Sequence, residues 1–372
     1  MKTVRRLLYR DILASVSFVA LAFLSLFYFI DFVDELDTSG SKGLAAWSAA
    51  LAAGFAVPAH FYELFPIAVL IGTIYTLSRL AQSSEFVILR TGGLGPGRAL
   101  GLLAMLGLAF GVATWAVGDY VAPVSERQGA LFKARNSGKA FSGAGMWLKE
   151  HRTGPDGERS YSVNVQASNP SGGIAGIRIF EFDAQGHLVS RVEASEGHVA
   201  DDGTWTLSNV KSIRWPPAVS ANPKGADSVQ VQVQAKLIWP STLTTGMVLA
   251  AVQPVASMTT AELWRFSRHL SSQEQANQGH EIQFWKKALY PMACLVMMAL
   301  ALPFAYSHAR AGSVSLKVFG GIMLGISFVL LNNLAGHMGL LRGWTPWVAA
   351  AAPSLIYLLL SMAAFAWLVR YR

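Results

Sequence analysis

Charge is what this chain has least of. Only 14% of its 372 residues are Asp, Glu, Lys or Arg, against 52% hydrophobic, where a soluble domain carries about a quarter charged residues. That balance excludes an ordinary soluble protein. Cysteine is nearly absent as well. Cys294 stands alone inside an apolar run and reads as a buried membrane-helix thiol, so no internal disulfide exists and an exported domain must fold on core and sheet alone. No cleavable leader is evident, because residues 12–30 are apolar for the length of a span and acidic residues follow in place of a small-residue cleavage site. A G-x-x-x-x-G-K-[ST] nucleotide loop is also lacking. The glycine-rich TGGLGPGRA (91–99) has no Lys-Ser/Thr and reads as a helix stop and loop. No Ser/His/Asp or Cys/His arrangement stands out. His60 and Glu63 have the spacing of two metal ligands, but no further ligand converges in sequence, so they read as an interfacial pair beside Phe61, Tyr62 and Phe65. The chain does not read as an enzyme, and no metal is assigned to it.

What is there is a set of runs long enough to cross about 30 Å of hydrocarbon. They lie at roughly 12–30, 61–81, 99–121, 288–306, 314–336 and 346–369. Residues 44–57 are apolar but short and end at Pro58. They read as an outer-surface or re-entrant helix leading into the second span, with a seventh span as the alternative. The basic residues set the orientation. Lys2, Arg5, Arg6 and Arg10 precede the first span; Arg79, Arg90 and Arg98 flank the loop after the second; Arg310 and Lys317 flank the loop after the fourth; Arg370 and Arg372 close the chain. The opposite side holds Asp34, Glu35 and Asp37 against Lys42, and Arg342 between the last two spans. By the positive-inside rule both ends are cytoplasmic. The formal charge of +8 is therefore mostly topology and no footprint of a nucleic acid. Gly107-x-x-x-Gly111 and Gly321-x-x-x-Gly325 are small-xxx-small patterns that allow close helix packing. Asn332, Asn333 and His337 close the fifth span, placed either to hydrogen-bond between helices or to line a polar part of a cavity.

Residues about 125–285 break this pattern. IRIFEF (177–182), the turn DAQG, HLVSRVEASEGHVA, the turn DDG, TWTLSNVKSIRW and SVQVQVQAKLIW (228–239) alternate at period two. The prediction is an all-β domain, sandwich or jellyroll, outside the inner membrane. The VQVQV strand puts small apolar residues on one face and reads as an edge able to add strands from a partner, unless both faces close within the domain.

Between the second and third spans lies LSRLAQSSEFVILRTGGL (77–94). Ser83 or Ser84 can cap a helix, Glu85 then sits in its first turn, and Gly92 and Gly93 stop it. A helix of about 8 residues is unstable alone in water, so something must pack against it. Either it docks in a cytoplasmic partner, as a permease takes up force from a separate ATPase, or it lies flat on the membrane.

Seven phrases, in matching order and spacing over essentially the whole chain, carry a resemblance: FIDFVDELDTSG (29–40), ELFPIAVLIG (63–72), LAQSSEFVILRTGG (80–93), GDYVAPVSE (118–126), GIRIFEFDAQGHL (176–188), DDGTWTLSNV (201–210) and FWKKALYPMACLVMMALALPF (284–304). The chain resembles the LptF/LptG family of permeases in lipopolysaccharide-export ABC transporters. The DELD phrase and the coupling-loop wording point to one of its two permease types, with LptF the nearest alternative within the family and a membrane-anchored periplasmic scaffold the alternative outside it.

The resemblance implies a six-span α-helical integral membrane protein of the bacterial inner membrane, with an all-β periplasmic jellyroll domain inserted between the third and fourth spans. The expected division is 1–124 for spans 1–3, with a coupling helix at about 84–91, then 125–285 for the jellyroll and its connectors, and 286–372 for spans 4–6. It implies a complex with a sibling permease, LptF, a dimer of the ATPase LptB, and LptC. That complex takes lipopolysaccharide from the outer leaflet and passes it along aligned jellyrolls to a periplasmic bridge. ATP and its magnesium belong to the partner ATPase, and this chain carries no cofactor. Glu85 stands at the family's coupling-helix carboxylate, with Phe86, Leu89 and Arg90 completing the ATPase-facing surface. Lys133 matches a basic position for the lipid's phosphates or sugars, with Arg127 and Arg135 as neighbours. Leu64 and Phe65 match the apolar lining for acyl tails. Where some members carry basic residues at the outer end of the first span, this chain has Asp31 and Asp37. That departure raises the idea of a bridging divalent cation there.

Overall fold

The computed structural model describes residues 2–40, 46–93, 95–137, 146–154, 157–168, 173–200, 203–216, 229–245, 248, 257–272, 278–306 and 313–370. The chain divides into two compact units, Met1–Lys133 with Gln278–Arg372, and Ala134–Asn277.

The first unit is helical. Its apolar runs become α1 (Lys2–Gly40), α2 (Ala46–Gln82), α3 (Glu85–Thr91), α4 (Pro96–Ala116), α5 (Ala122–Ser137), α7 (Gln278–Ala305), α8 (Val314–Arg342) and α9 (Pro346–Arg370). A five-residue π-helical turn, Val117–Val121, joins α4 to α5 without a break and buries Asp119. Among the described residues six stretches are long and apolar enough to cross a membrane: Val4–Asp37, Ala46–Gln82, Pro96–Lys133, Gln278–Ala305, Val314–Arg342 and Pro346–Trp367.

The second stretch corrects the reading of 44–57. The described part of that segment, from Ala46, is the first third of α2. That helix runs 37 residues without interruption through Pro58 and Pro66, about 55 Å at 1.5 Å per residue. A proline removes one backbone donor and strains one turn, yet the helix continues through both.

α2 is the central helix and packs against α1, α7 and α8, while α4 and α9 flank α7. The two glycine pairs are seams within the chain. A Cβ on Gly107 would meet Leu295 and Met298 of α7 at 3.2 Å, and one on Gly111 would meet the Pro291 carbonyl oxygen at 2.7 Å. A Cβ on Gly321 would meet Ile74 of α2 at 2.7 Å, and one on Gly325 would meet Ile67 at 2.6 Å. Because a backbone oxygen cannot rotate away, Gly111→Val is expected to separate α4 from α7 and cost about 1–3 kcal/mol. This reads as a lower unfolding temperature of the purified protein. Gly101→Val, where a Cβ meets nothing within 4 Å, should leave that temperature unchanged.

The second unit carries the all-β domain expected from the sequence. Six antiparallel strands, β1 (Met146–Gly154), β2 (Gly157–Ser168), β3 (Gly173–Phe182), β4 (Leu188–Val199), β5 (Thr204–Arg214) and β6 (Gln230–Pro240), pair in chain order as one meander. α6 (Thr260–Ser272) follows. The DAQG hairpin forms as read: Asp183 Oδ1 accepts from the backbone N–H of Gln185 and His187, and Gly186 takes φ +84°.

A crease crosses this sheet. Every ladder from β2 to β6 skips one position, giving the line Gln166, Gly176, Ser195, Asn209, Ala235. Gly176 and Asn209 lie there at φ +64° and +54°, and glycine and asparagine are the residues that tolerate this region. Across the crease the buried side changes parity, from Trp205 and Leu207 to Val210 on β5 and from Ile174 to Ile177 and Ile179 on β3.

The two edge strands meet at one end. The Glu150 carboxylate of β1, wholly buried, accepts from Thr242 N at 2.8 Å, Thr242 Oγ1 at 2.9 Å and Ser241 Oγ at 2.8 Å, all just beyond β6. Arg152 donates two hydrogen bonds to the same carboxylate and lies over the rings of Tyr161 and Trp239 at 4.7 and 4.6 Å. At the other end β6 leaves Val229, Val231 and Val233 exposed. The sheet is clasped at one end and open at the other.

Burial would raise the Glu150 pKa, but Arg152, the Thr242 N–H and Ser241 outweigh it and hold it below the usual glutamate value of 4.5. Glu181 behaves alike: burial raises it, and Ser190 and Arg159 pull it lower. A depressed carboxylate contributes stability that is complete above its unfolded pKa and is lost as pH falls through its folded pKa. The β unit should therefore melt at progressively lower temperature as the pH drops below about 4.5, read by near-ultraviolet circular dichroism of its tryptophans. Glu150→Gln should flatten that dependence.

Candidate coupling helix and lipid-facing residues

α3 forms differently from what its serines predict. Ser83 Oγ bonds back to the Arg79 and Leu80 carbonyls, closing α2. Ser84 turns the chain in the left-handed region at φ +61°, makes no side-chain cap, and offers its carbonyl to Val87 N and Ile88 N at 3.1 and 3.2 Å. Seven residues cannot hold a helix unaided, and Phe86 supplies the anchor. Its side chain is only 3% exposed, with its ring edge-on to Tyr306, just past the end of α7, at 5.2 Å. The Arg90 guanidinium lies 5.9 Å over the same ring, and Tyr306 in turn meets Phe365 of α9 at 6.1 Å. Leu89 is half-buried against this cluster. Phe86 therefore faces the chain's own core, a correction to its place on a partner-facing surface. The outward face is Glu85, Val87, Ile88 and Arg90, with Val87 56% and Ile88 67% exposed. The helix is joined to α2 through the turn at Ser84, and through Phe86 and Tyr306 to the end of α7 and to α9.

At the far end of the spans, Lys133 Nζ sits 2.6 Å from Glu35 Oε2 of α1, so its charge has an internal partner. Arg127 is half-buried on the same helix, α5, and the side chain of Arg135 lies outside the described residues. At about 100° per residue, positions 133 and 135 fall about 240° and 80° round from 127, so the three form no single basic face. Asp31 Oδ2 is 2.7 Å from His60 Nε2, whose ring also meets Phe27 at 5.0 Å. Asp31 thus serves a histidine of α2, and among the described residues no three His, Cys, Asp or Glu side chains gather as a metal ion requires. Leu64 is half-buried. Phe65 is enclosed by the chain's own rings, stacked on Phe61 at 4.5 Å and edge-on to Phe110 at 5.5 Å, so it lines no open surface of this chain. His337 Nδ1 lies 2.9 Å from the Asn333 carbonyl of its own helix.

Residues 6–370 match the sequence profile of the family described as lipopolysaccharide export system permease LptF/LptG. The chain belongs to the LptF/LptG family. It is similar to the lipopolysaccharide export system permease protein LptG of Haemophilus influenzae (strain Rd), 25% identical over 369 residues and 96% of each chain. It is likewise similar to the protein of the same name from Escherichia coli K12, 26% identical over 359 residues and 95% of each. The architecture agrees with that membership: a multi-pass inner-membrane permease of lipopolysaccharide export with a β domain in mid-chain.

Sequence reading of this family member missed two residues just before the apolar run of the fourth span. Lys287 is 7% exposed, with its ammonium 6.0 Å from the centre of the Tyr62 ring. Lys286 is half-buried, and its Nζ lies 2.4 Å from where a Cβ on Gly336 would stand. Lysines are rarely buried, and two adjacent ones turned into the fold at the edge of an apolar run had the FWKK phrase as their available signal.

Proposed function

We propose that the chain is the LptG permease of a transporter in which a separate ATPase drives lipopolysaccharide out of the inner membrane toward a periplasmic bridge. The observation that carries this reading is α3, a helix too short to stand alone, bolted to α7 and α9 by Phe86 while its Glu85, Val87 and Ile88 face outward. That arrangement suits a docking element that takes force from an ATPase and delivers it to the spans. In this reading both termini and α3 are cytoplasmic and the β unit is periplasmic. The sibling permease LptF, a dimer of LptB, and LptC complete the assembly.

The lipid enters laterally between this chain and its sibling. ATP-driven closure of the LptB dimer pulls α3 and collapses the cavity, and the lipid moves up into a jellyroll. The buried apolar side of the sheet shields acyl chains that would otherwise cost about 0.8 kcal/mol per exposed CH₂. The exposed β6 edge, with Val229, Val231 and Val233, suits a strand or sheet added from a neighbouring β domain. Purification of the tagged chain in mild detergent, followed by mass spectrometry, tests the assembly. An ABC ATPase and a second six-span permease should co-purify, and recovery of neither refutes the reading.

Lys133 meets the lipid's phosphates in this account, competing with its bond to Glu35. Lys133→Gln is expected to lower lipopolysaccharide photocrosslinking at the outer cavity about three- to tenfold. Glu35→Gln, which frees the lysine, should leave crosslinking equal or higher. The same loss in both variants would mean that the pair acts only in structure.

A further inference from the structure

Near the start of α1, Arg5, Tyr9 and Leu13 fall at successive i, i+4 positions, with Arg6 and Arg10 beside them, so all five share one side of the helix. That side looks across to Leu106 of α4, and the six residues line an open cleft of about 580 Å³. Tyr9 Oη donates to the Leu102 carbonyl at 2.9 Å, one turn before Leu106, and bridges the two helices there. The cleft is basic at its mouth and apolar on its walls. No acid lines it. Arg10 makes a long 3.6 Å contact with Asp11, which is already bound to Arg79 at 2.6 Å on another side of α1. Leu7 and Leu13 of α1, and Leu100, Met105 and Leu108 of α4, are also exposed and apolar. The positive-inside rule accounts for arginines near this end of the span. It does not account for three of them gathered on one cleft with an apolar wall.

We infer that this cleft binds one anionic glycerophospholipid of the cytoplasmic leaflet, its phosphodiester held by Arg5, Arg6 and Arg10 and one acyl chain lying along Leu13 and Leu106. Arginine forks match phosphate oxygens in pairs, and basic pockets between spans on the cytoplasmic side suit anionic headgroups. The Tyr9 bridge would then place the lipid where it braces the first span against the third.

The inference rests on the orientation proposed above, which puts this end of α1 in the cytoplasm. A cysteine placed at position 2 and labelled from one side reads that orientation independently. The test itself is native mass spectrometry of the full-length chain, taken from nanodiscs of equal phosphatidylglycerol and phosphatidylcholine into detergent. The expected result is retention of one phosphatidylglycerol per chain in preference to phosphatidylcholine. That retention should fall about tenfold in the Arg5→Gln/Arg6→Gln double variant and recover at least in part in Arg5→Lys/Arg6→Lys. Unchanged thermal unfolding of the double variant would show that it is folded; if it unfolds early, Leu106→Trp, which fills the wall and keeps every charge, replaces it and should lower retention as much. Equal retention of the two lipids, or equal retention by wild type and variants, overturns the inference. Displacement of the lipid by millimolar inorganic phosphate would make it a free-phosphate site and also overturn it. So would unchanged lipid retention together with lost ATPase co-purification, which would make the arginines a protein contact.

Discussion

Glu85→Lys is expected to abolish recovery of the ATPase with this chain, or to uncouple ATP hydrolysis from transport, while the chain still inserts and keeps its thermal stability. The carboxylate is exposed in the first turn of α3, so its loss removes no internal contact of the fold. Reversing a charge at the centre of a docking surface sets like charge against whatever cation meets it, a loss of about 2–5 kcal/mol, or roughly 30- to 5000-fold in affinity. Ile88→Asp, one turn along the same exposed face, should act alike by wetting an apolar contact. Phe86→Ala should differ from both. It leaves the outward face intact but cuts α3 loose from Tyr306, so the ATPase should still bind while its hydrolysis no longer moves lipid. Normal transport by Glu85→Lys would remove α3 from the mechanism.

The second large effect is expected at Glu150. Replacing it by Ala empties a wholly buried position and takes from the partly exposed Arg152, Ser241 and Thr242 the one acceptor that they share. Removing one partner of a buried ion pair costs about 3–5 kcal/mol. That approaches the whole stability of a small domain, so the β unit should open at its clasped end, measured as rapid amide exchange in β1 and in residues 240–243. Ser241→Ala removes one donor of several and should cost about 1 kcal/mol. Similar exchange in the two variants would mean that the clasp contributes little.

These residues show what could be read in advance. The six spans and the β domain were legible because hydropathy and period-two alternation act locally. Residues 46–57 were not legible as the head of α2, since Pro58 is a local stop signal and only packing around the helix overrides it. The short helix was legible in position, but its cap was not: Ser84 uses its carbonyl in a left-handed turn where its side chain was expected. The inward turn of Phe86 depends on Tyr306, 220 residues away, and no local pattern reports that. Phe65 was misplaced for the same reason, its partner Phe110 lying on another span. The Lys133–Glu35 and His60–Asp31 bonds join helices, so the sequence showed candidate charges without their compensation. Glu150 was passed over entirely, because its partners lie just beyond the last strand.

The most direct test of the central claim is ATP-dependent release of lipopolysaccharide from proteoliposomes that hold this chain with its sibling permease, the ATPase and LptC, supplied with a soluble periplasmic acceptor. The account predicts transfer that requires ATP, fails with Glu85→Lys, and persists with Lys133→Gln at reduced rate. Transfer at the same rate without ATP, or unaffected by Glu85→Lys, would contradict it.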